Sequence, residues 1–212
     1  MTKALVLVDI QNDFLPGGAL AVPDGDQVVP VANHMIDRFD LVVATQDWHP
    51  ANHGSFASQH DGYAVGDMIE LHGLPQIMWP DHCVQDTSGA EFADALRIDE
   101  SVRIFPKGTD TKIDSYSGFF DNGHRNATGL GDALQAAGVK HVFVLGLATD
   151  YCVKFTALDA RKLGFEVTLV EDGCRGVNLK AGDVDRAIEE MKEAGIRVVS
   201  SESVGKEKTK DV

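Results

Sequence analysis

Six short apolar runs divide the sequence, and each is followed by polar or turn-forming residues. They cover residues 4–10, 40–45, 102–107, 142–147, 165–172 and 195–200. A continuous apolar run of this length, without alternation of polar and apolar positions, indicates a strand buried on both faces, as in parallel sheets. The sequence therefore predicts six buried strands.

Amphipathic stretches predict helices between most of these strands. Residues 26–39, 129–138, 152–163 and 180–194 each place their apolar side chains on one side of a helix. A further short helix is predicted at residues 88–96, because Ser88 is followed three positions later by Glu91, as in a capping box. Thr149 or Asp150 is expected to cap the helix that carries Cys152.

Strands that alternate with helices predict an α/β fold. We expect a three-layer, doubly wound, six-stranded parallel sheet with the Rossmann-like strand order 3-2-1-4-5-6. A chain of 212 residues, 43% of them hydrophobic, is most simply one domain over residues 1–212. Its charged tail, about residues 202–212, is expected to fray. Residues 51–89 lack periodicity and predict a long irregular connection that is either functional or partly self-structured.

Polar side chains stand where four of the predicted strands end. Asp9 closes the first strand, Asp47 and His49 follow the second, Lys107 ends the third, and Cys152 follows the fourth. The carboxyl ends of parallel strands share one edge of the sheet, where the sites of such folds lie. Strands 1 and 4 would be neighbours about 4.8 Å apart. We therefore predict that these side chains meet in one site.

Each of these residues also has a purely structural interpretation. Cys152 is either a small buried apolar side chain, like most free cysteines, or a nucleophile whose thiolate the helix terminus favours. Lys107 either extends its ammonium to solvent or serves the site. Asp9 is costly beside a buried strand unless it is paired or used, whereas Asp13 is expected to cap or turn the chain.

Asp47, His49 and His82 suggest a metal site. An acid and an imidazole two residues apart project from the same side of an extended segment, and His82 supplies a third donor. One Asp and two His with open positions suit a catalytic Zn, Fe or Mn ion. His53 is a weaker candidate, either as an extra ligand or as the residue that holds an ordered water. The remaining polar candidates of this region are interpreted as surface or packing residues: His60, His72 and Cys83.

Aromatic side chains occupy the turn-rich segment at residues 109–126. Tyr116, Phe119 and Phe120 stand there although no core pattern requires them. They either wall a pocket for a flat ligand or pack the loop against the core.

Charge and cysteine content narrow the choice of partners. A formal net charge of -14 argues against nucleic acid or an anionic membrane surface. Three cysteines without a disulfide spacing are typical of a reducing cytosol. The apolar run at residues 4–8 is too short for a signal peptide or a membrane span. We expect a soluble cytoplasmic protein, whose subunit number, including a homo-oligomer, the sequence leaves open.

The motifs at these positions resemble a known family. They begin at Val8, Gln46, Trp79, Lys107, Tyr116 and Gly146, and they read Val-Asp-Ile-Gln-Asn-Asp-Phe, Gln-Asp-Trp-His-Pro, Trp-Pro-Asp-His-Cys, Lys-Gly, Tyr-Ser-Gly-Phe and Gly-Leu-Ala-Thr-Asp-Tyr-Cys-Val. From about residue 4 to residue 200 the chain resembles the nicotinamidases of the isochorismatase-like cysteine hydrolase superfamily.

This resemblance implies roles for individual residues. Asp9, Lys107 and Cys152 would form the catalytic triad. A divalent ion would be bound by Asp47, His49 and His82. The pyridine pocket would be lined by Phe14, Leu20, Trp79 and Tyr116. A cis peptide would precede Ala148, whose N–H would join that of Cys152 in an oxyanion hole.

The implied reaction is the hydrolysis of nicotinamide to nicotinate and ammonia through a cysteine thioester, in NAD recycling, with pyrazinamide-like carboxamides as further substrates. Asp9 or the metal would activate the hydrolytic water. The rivals are a metal-free hydrolase of the same superfamily, acting on a ureido, carbamoyl or vinyl-ether substrate, and a non-catalytic ligand-binding protein that kept the fold. A nucleotide-binding Rossmann protein is excluded, because no Gly-x-Gly-x-x-Gly follows the first strand.

Overall fold

The strands alternate with helices along most of the chain, and the computed structural model describes residues 2–205. The strands in chain order are β1 (Thr2–Val8), β2 (Val42–Asp47), β3 (Met68–Leu71), β4 (Leu74–Ile77), β5 (Arg103–Lys107), β6 (Val139–Leu147), β7 (Glu166–Arg175) and β8 (Arg197–Val199). The α-helices are α1 (Val28–Ile36), α2 (Leu130–Ala136), α3 (Lys154–Lys162) and α4 (Asp183–Glu193).

Six of these strands form one parallel sheet in the order β5-β2-β1-β6-β7-β8. Counting only the strands of this sheet, the order is the predicted 3-2-1-4-5-6, and the α/β fold class is confirmed. Strand β1 lies at the centre, with Leu7 opposite Ala44 on one side and Leu145 on the other. Residues 4–8 of β1 are at most 1% exposed, which explains why the strand reads as an unbroken apolar run.

The helices pack against the strands and against one another. Helix α1 contacts β1, β6 and β7, α2 contacts β6, and α3 contacts β6, β7 and α4. Within residues 2–205, every helix is too short or too polar to cross a membrane.

The structure refines one local prediction and contradicts another. Within residues 51–89, which were expected to be functional or partly self-structured, residues 68–77 form the antiparallel hairpin β3–β4. The helix expected at residues 88–96 is reduced to a 3₁₀ turn at Ser88–Ala90. The backbone of this segment bonds instead to the chain after β1, where Asn12 N–H donates to Glu91 O and Ala93 N–H donates to Ile10 O, each at 2.9–3.0 Å. Tertiary hydrogen bonds thus override the capping signal.

The beginning of the predicted tail is packed rather than frayed. A 3₁₀ turn covers Ser201–Ser203, and Val204 is buried, with its carbonyl accepting a hydrogen bond from Arg38. The rest of the predicted tail, residues 206–212, lies outside the described residues.

Candidate active site

The carboxyl edge of the sheet brings the predicted catalytic residues together. Asp9 follows β1 directly and has a φ of 47°, a left-handed conformation that non-glycine residues seldom adopt. Lys107 ends β5, two strands away from β1. Cys152 lies in a π-helical turn, Thr149–Val153, between β6 and α3. All three side chains are buried.

The ammonium of Lys107 lies between the acids and the thiol. It donates hydrogen bonds to Asp47 Oδ1 at 2.7 Å, to the Ser115 carbonyl at 2.8 Å and to Cys152 Sγ at 3.4 Å. Its Nζ also forms an ion pair with Asp9 Oδ2 at 2.9 Å. The long side chain of Lys107 therefore reaches inward, and the alternative in which it extends to solvent is wrong.

Asp9 presents one free oxygen to this cluster. Its Oδ1 accepts a hydrogen bond of 2.6 Å from the hydroxyl of Thr45, a buried residue of β2. Its Oδ2 has no hydrogen-bond donor among the described residues. Because one oxygen is already bonded, the lone pairs of Oδ2 are the ones available to a proton from Cys152.

The thiol of Cys152 is not held as a thiolate. Burial raises its pKa well above the ordinary value, and the negative charges of Asp9 and Asp47 act in the same direction, against the lowering effect of Lys107. Burial therefore opposes the thiolate that the helix terminus was expected to favour. Burial likewise raises the pKa of Asp9, although Lys107 and Thr45 oppose the shift. A neutral thiol next to a carboxylate is suited to proton transfer during attack.

Asp47, His49 and His82 converge through single ligand atoms. The Nε2 atoms of His49 and His82 lie 3.4 and 3.6 Å from Asp47 Oδ2. Each Nδ1 faces a backbone carbonyl, that of Gly108 at 2.9 Å for His49 and that of Pro80 at 2.8 Å for His82. Donation from Nδ1 leaves a lone pair on each Nε2, which is how second-shell partners orient metal-binding imidazoles.

The chemistry of this cluster fits a metal ion. His49 Nε2 is buried and has no hydrogen-bond partner among the described residues. A buried lone pair without a donor is unfavourable, and a cation bound by all three ligand atoms would satisfy it. Gly108 makes room for the ring, because a Cβ at that position would lie 2.4 Å from His49 Cε1. Although burial alone raises the pKa of Asp47, Lys107 and the two imidazoles hold it well below its ordinary value.

His53 stacks on this cluster, with its ring centroid 4.3 Å from that of His49. Its Nδ1 accepts the backbone N–H of Ser55 at 3.3 Å, which assigns the ring proton to Nε2. Burial and the neighbouring His49 lower the pKa of His53 to about 4, so the ring is neutral. Its Nε2 is buried without a hydrogen-bond partner among the described residues, and His53 forms a second group of potential ligand atoms with His49 and Asp114. A role for His53 as an extra ligand stays a prediction.

Asp9, Asp47 and Cys152 also come within 4.8 Å of one another through potential ligand atoms. The ammonium of Lys107 contacts all three side chains and already supplies the positive charge that a metal would bring. We therefore assign no metal to this group.

A narrow cavity opens onto Cys152. The four residues predicted to bind substrate all line it, together with the predicted oxyanion residues and two of the metal-site residues: Phe14, Leu20, Trp79, Tyr116, Ala148, Cys152, Asp47 and His82. The peptide bond between Leu147 and Ala148 is cis, as the resemblance implies. Larger clefts on the surface are not lined by Cys152.

The sequence did not single out three further residues that line the cavity, namely Asp114, Tyr151 and Val177. Tyr151 could have been found, because it directly precedes Cys152 in the most specific motif. Asp114 and Val177 carry no comparable signal. Trp79 and Tyr116 are joined in the cavity wall, since Trp79 Nε1 donates to the Tyr116 hydroxyl at 3.0 Å.

The parallel α/β sheet and this site define the chain as a cysteine hydrolase, and the comparison with known families agrees. The family model described as Isochorismatase domain matches residues 3–203. The chain belongs to the isochorismatase family.

Individual relatives carry more specific names. The nicotinamidase of Escherichia coli (strain K12) is 54% identical over 199 aligned positions, and the match covers 91% of this chain and 92% of the relative. A nicotinamidase and pyrazinamidase structure from Acinetobacter baumanii superposes with a TM-score of 0.92 at 45% identity, covering 95% of this chain and 97% of the other. The pyrazinamidase of Pyrococcus horikoshii in complex with zinc has a TM-score of 0.79 at 43% identity, covering 94% and 99%.

Proposed function

We propose that this protein hydrolyses nicotinamide to nicotinate and ammonia, in the recycling of NAD, and that it also deamidates flat pyrazinamide-like carboxamides. The observation that carries the proposal is the contact of one buried ammonium, that of Lys107, with Cys152 Sγ and both acids, Asp9 and Asp47, beside a cavity lined by aromatic side chains. The names of the relatives above support the substrate class.

Asp9 acts first as a general base in this mechanism. Its Oδ2 accepts the Sγ proton of Cys152 while Sγ bonds to the carboxamide carbon and the carbonyl electron pair moves onto oxygen. Lys107 stabilises the negative charge as it develops on sulfur, so the neutral thiol of the resting site is activated only when substrate is present. This sequence avoids the cost of an isolated buried thiolate.

The tetrahedral intermediate then loses ammonia. Its oxyanion would be held by the backbone N–H groups of Ala148 and Cys152, both of which border the cavity. As the C–N bond breaks, Asp9 returns the proton to the departing nitrogen and a thioester remains on Cys152. Water then adds to the thioester carbon while Asp9 accepts one of its protons. The C–S bond breaks, Asp9 returns that proton to sulfur, and nicotinate is released.

The shape of the cavity suits a planar heteroaromatic ring. Phe14 and Leu20 contribute apolar surface, while Trp79 and Tyr116 contribute aromatic surface that a hydrogen bond holds in place. Tyr151 packs edge-on against Trp79, with ring centroids 4.9 Å apart, and extends this wall. A flat ligand between such rings gains apolar burial and stacking without ordering a flexible chain.

Asp47, His49 and His82 would hold one divalent ion, with Zn, Fe and Mn all compatible with this donor set. When bound, such an ion supplies Lewis acidity and a coordination position for the pyridine nitrogen of the substrate or for a water. Asp47 faces both imidazoles through its Oδ2 and binds Lys107 through its Oδ1, while the Nδ1 bonds to Gly108 and Pro80 orient the rings. These donors favour a metal-containing amidohydrolase over the metal-free hydrolases of the superfamily.

Ammonia release from nicotinamide by the purified, metal-loaded protein tests the proposal. Pyrazinamide and an aliphatic ureido compound should be assayed in parallel. We expect turnover of nicotinamide and pyrazinamide but not of the ureido compound. If the folded, metal-loaded protein releases ammonia from the ureido compound alone, it is one of the other hydrolases of the superfamily. If it releases none from any of them, the chain is a non-catalytic member of the fold.

A further inference from the structure

Asp150 is a buried acid that the mechanism above does not use. It stands two residues before Cys152 in the π-helical turn and is only 5% exposed. Either Asp150 or Thr149 was expected to cap the helix. No side-chain cap bond is present at the start of this turn, which begins after Ala148. The expectation of a capping role is therefore wrong, and the carboxylate has another partner.

That partner is the segment that follows β7. Asp150 Oδ1 accepts the backbone N–H of Val177 at 2.9 Å, and Oδ2 accepts that of Asn178 at 2.7 Å. The two residues are 27 and 28 positions further along the chain. Hydrogen bonds from N–H groups to an ionised, buried carboxylate are stronger than those between neutral groups. The pair of bonds fixes the backbone of this segment against the turn that carries the nucleophile.

The local sequence is adapted to this contact. A Cβ at Gly176 would lie 3.0 Å from Asp150 Oδ1 and 2.2 Å from Val184 Cγ2, so only glycine lets the chain pass at this distance. Asn178 has a φ of 56°, a left-handed turn in which both N–H groups can face one side chain. Its own Oδ1 accepts the N–H of Asp183 at the start of α4, which ties the far end of the segment.

The contact with Asp150 affects the site through Val177. Its half-buried side chain lines the same cavity as Cys152, Ala148 and Tyr151. Asp150 thus joins two walls of the cavity, the one that carries the nucleophile and the one formed by Val177. Because the cavity is narrow, a small shift of Val177 changes the space that a ring can occupy next to Cys152.

We propose that Asp150 is a positioning residue that holds Val177 against the substrate ring and so sets the affinity and the ring-size selectivity of the site. This inference rests on the proposed function, since the ring is that of a nicotinamide-like carboxamide. Asp150 acts through Val177 and does not touch the reacting atoms. Its loss should therefore act on KM more than on kcat.

The kinetic test uses Asp150→Asn, Val177→Ala and their combination, with Asp159→Asn as the matched control. Asp159 is a buried acid of α3 that contacts Lys162 and His124 instead of the cavity. Asp150→Asn should raise the KM for nicotinamide about tenfold, because an amide cannot accept both N–H bonds as well as a carboxylate does, while kcat stays within about twofold. The double variant should be no worse than the more affected single variant, and the control should keep its KM.

Hydrogen exchange of the Val177 and Asn178 amides gives a second readout that needs no substrate. Exchange should be at least about tenfold faster in Asp150→Asn than in the wild type or in Asp159→Asn. A fall in kcat at constant KM, multiplicative effects in the double variant, or unchanged exchange would each overturn the proposal. If the wild type releases no ammonia, the proposed function fails, whereas the exchange rates still decide whether Asp150 clamps the segment.

Discussion

Lys107 donates a 2.7 Å hydrogen bond to Asp47, and this bond joins the catalytic cluster to the candidate metal site. The same carboxylate faces His49 and His82 through its other oxygen. One acid thus belongs to both groups. Lys107 also contacts Asp9 and the thiol. The carboxylate of Asp47 therefore lies between two positive charges, the ammonium of Lys107 and the charge of a bound ion.

Replacement of Lys107 by Met should therefore damage both stability and activity. The variant leaves two carboxylates buried without their cation, and removal of one partner from a buried ion pair costs about 3–5 kcal/mol. We expect the free energy of unfolding of the metal-free protein, measured by urea denaturation, to fall by about that amount and ammonia release to be lost. Lys192→Met, which breaks an exposed pair with Glu189, should leave both quantities unchanged. Equal stability of the two variants would contradict the role assigned to Lys107.

Replacement of Cys152 by Ala should abolish turnover while the fold persists. Without the nucleophile no thioester forms, and kcat should fall by at least about a thousandfold. Cys174→Ala removes another buried thiol, which bonds to the Val170 carbonyl and lies outside the catalytic cluster, and should keep its activity. Mass spectrometry after rapid quenching should detect an acyl adduct on the wild type and none on Cys152→Ala. An adduct on the variant would place the nucleophile elsewhere.

The part of the site that the sequence predicts consists of polar residues at the ends of buried strands. Asp9, Lys107 and Cys152 follow buried strands, and parallel strands share their carboxyl edge, so the pattern of apolar runs alone places them together. The strand order came from the doubly wound fold class that the alternation of strands and helices predicts.

The remainder depends on contacts between distant segments. Residues 88–96 carry a good capping signal, but their backbone bonds to residues 10–12, which no local pattern reveals. The prediction of a thiolate at Cys152 took account of the helix terminus and of Lys107. It did not include the depth of burial, which raises the pKa of the thiol. Val177 lines the cavity because its backbone N–H bonds to Asp150, a residue 27 positions earlier in the chain.

Substitution of His82 by Ala should weaken metal binding far more than it weakens the fold. The loss of a second-shell partner costs roughly 10- to 100-fold in metal affinity, so the loss of a ligand should cost at least about a hundredfold. Titration of the chelator-treated protein with Zn²⁺, Fe²⁺ and Mn²⁺ would measure the affinity and identify the preferred ion. His124→Ala, a half-exposed histidine outside the cluster, should bind as the wild type does. Chelation should abolish ammonia release, and addition of the preferred ion should restore it.

Removal of the Thr45 hydroxyl should shift the pH dependence of the reaction. Asp9 must be ionised to accept the thiol proton, so kcat/KM falls as the pH drops through the pKa of Asp9. The 2.6 Å bond from Thr45 favours the ionised form and thus lowers the pKa of Asp9, against the larger raising effect of burial. In Thr45→Val the pKa of Asp9 should rise, and the acid limb of kcat/KM should move upward by about one pH unit.

Thr45→Ser keeps the hydroxyl and should keep the acid limb in place. This control separates the effect of the hydrogen bond from that of side-chain packing. Protonation of the metal-binding histidines would also reduce activity in acid, but that limb should be the same in all three proteins. An unmoved limb in Thr45→Val would therefore show that a group other than Asp9 sets it.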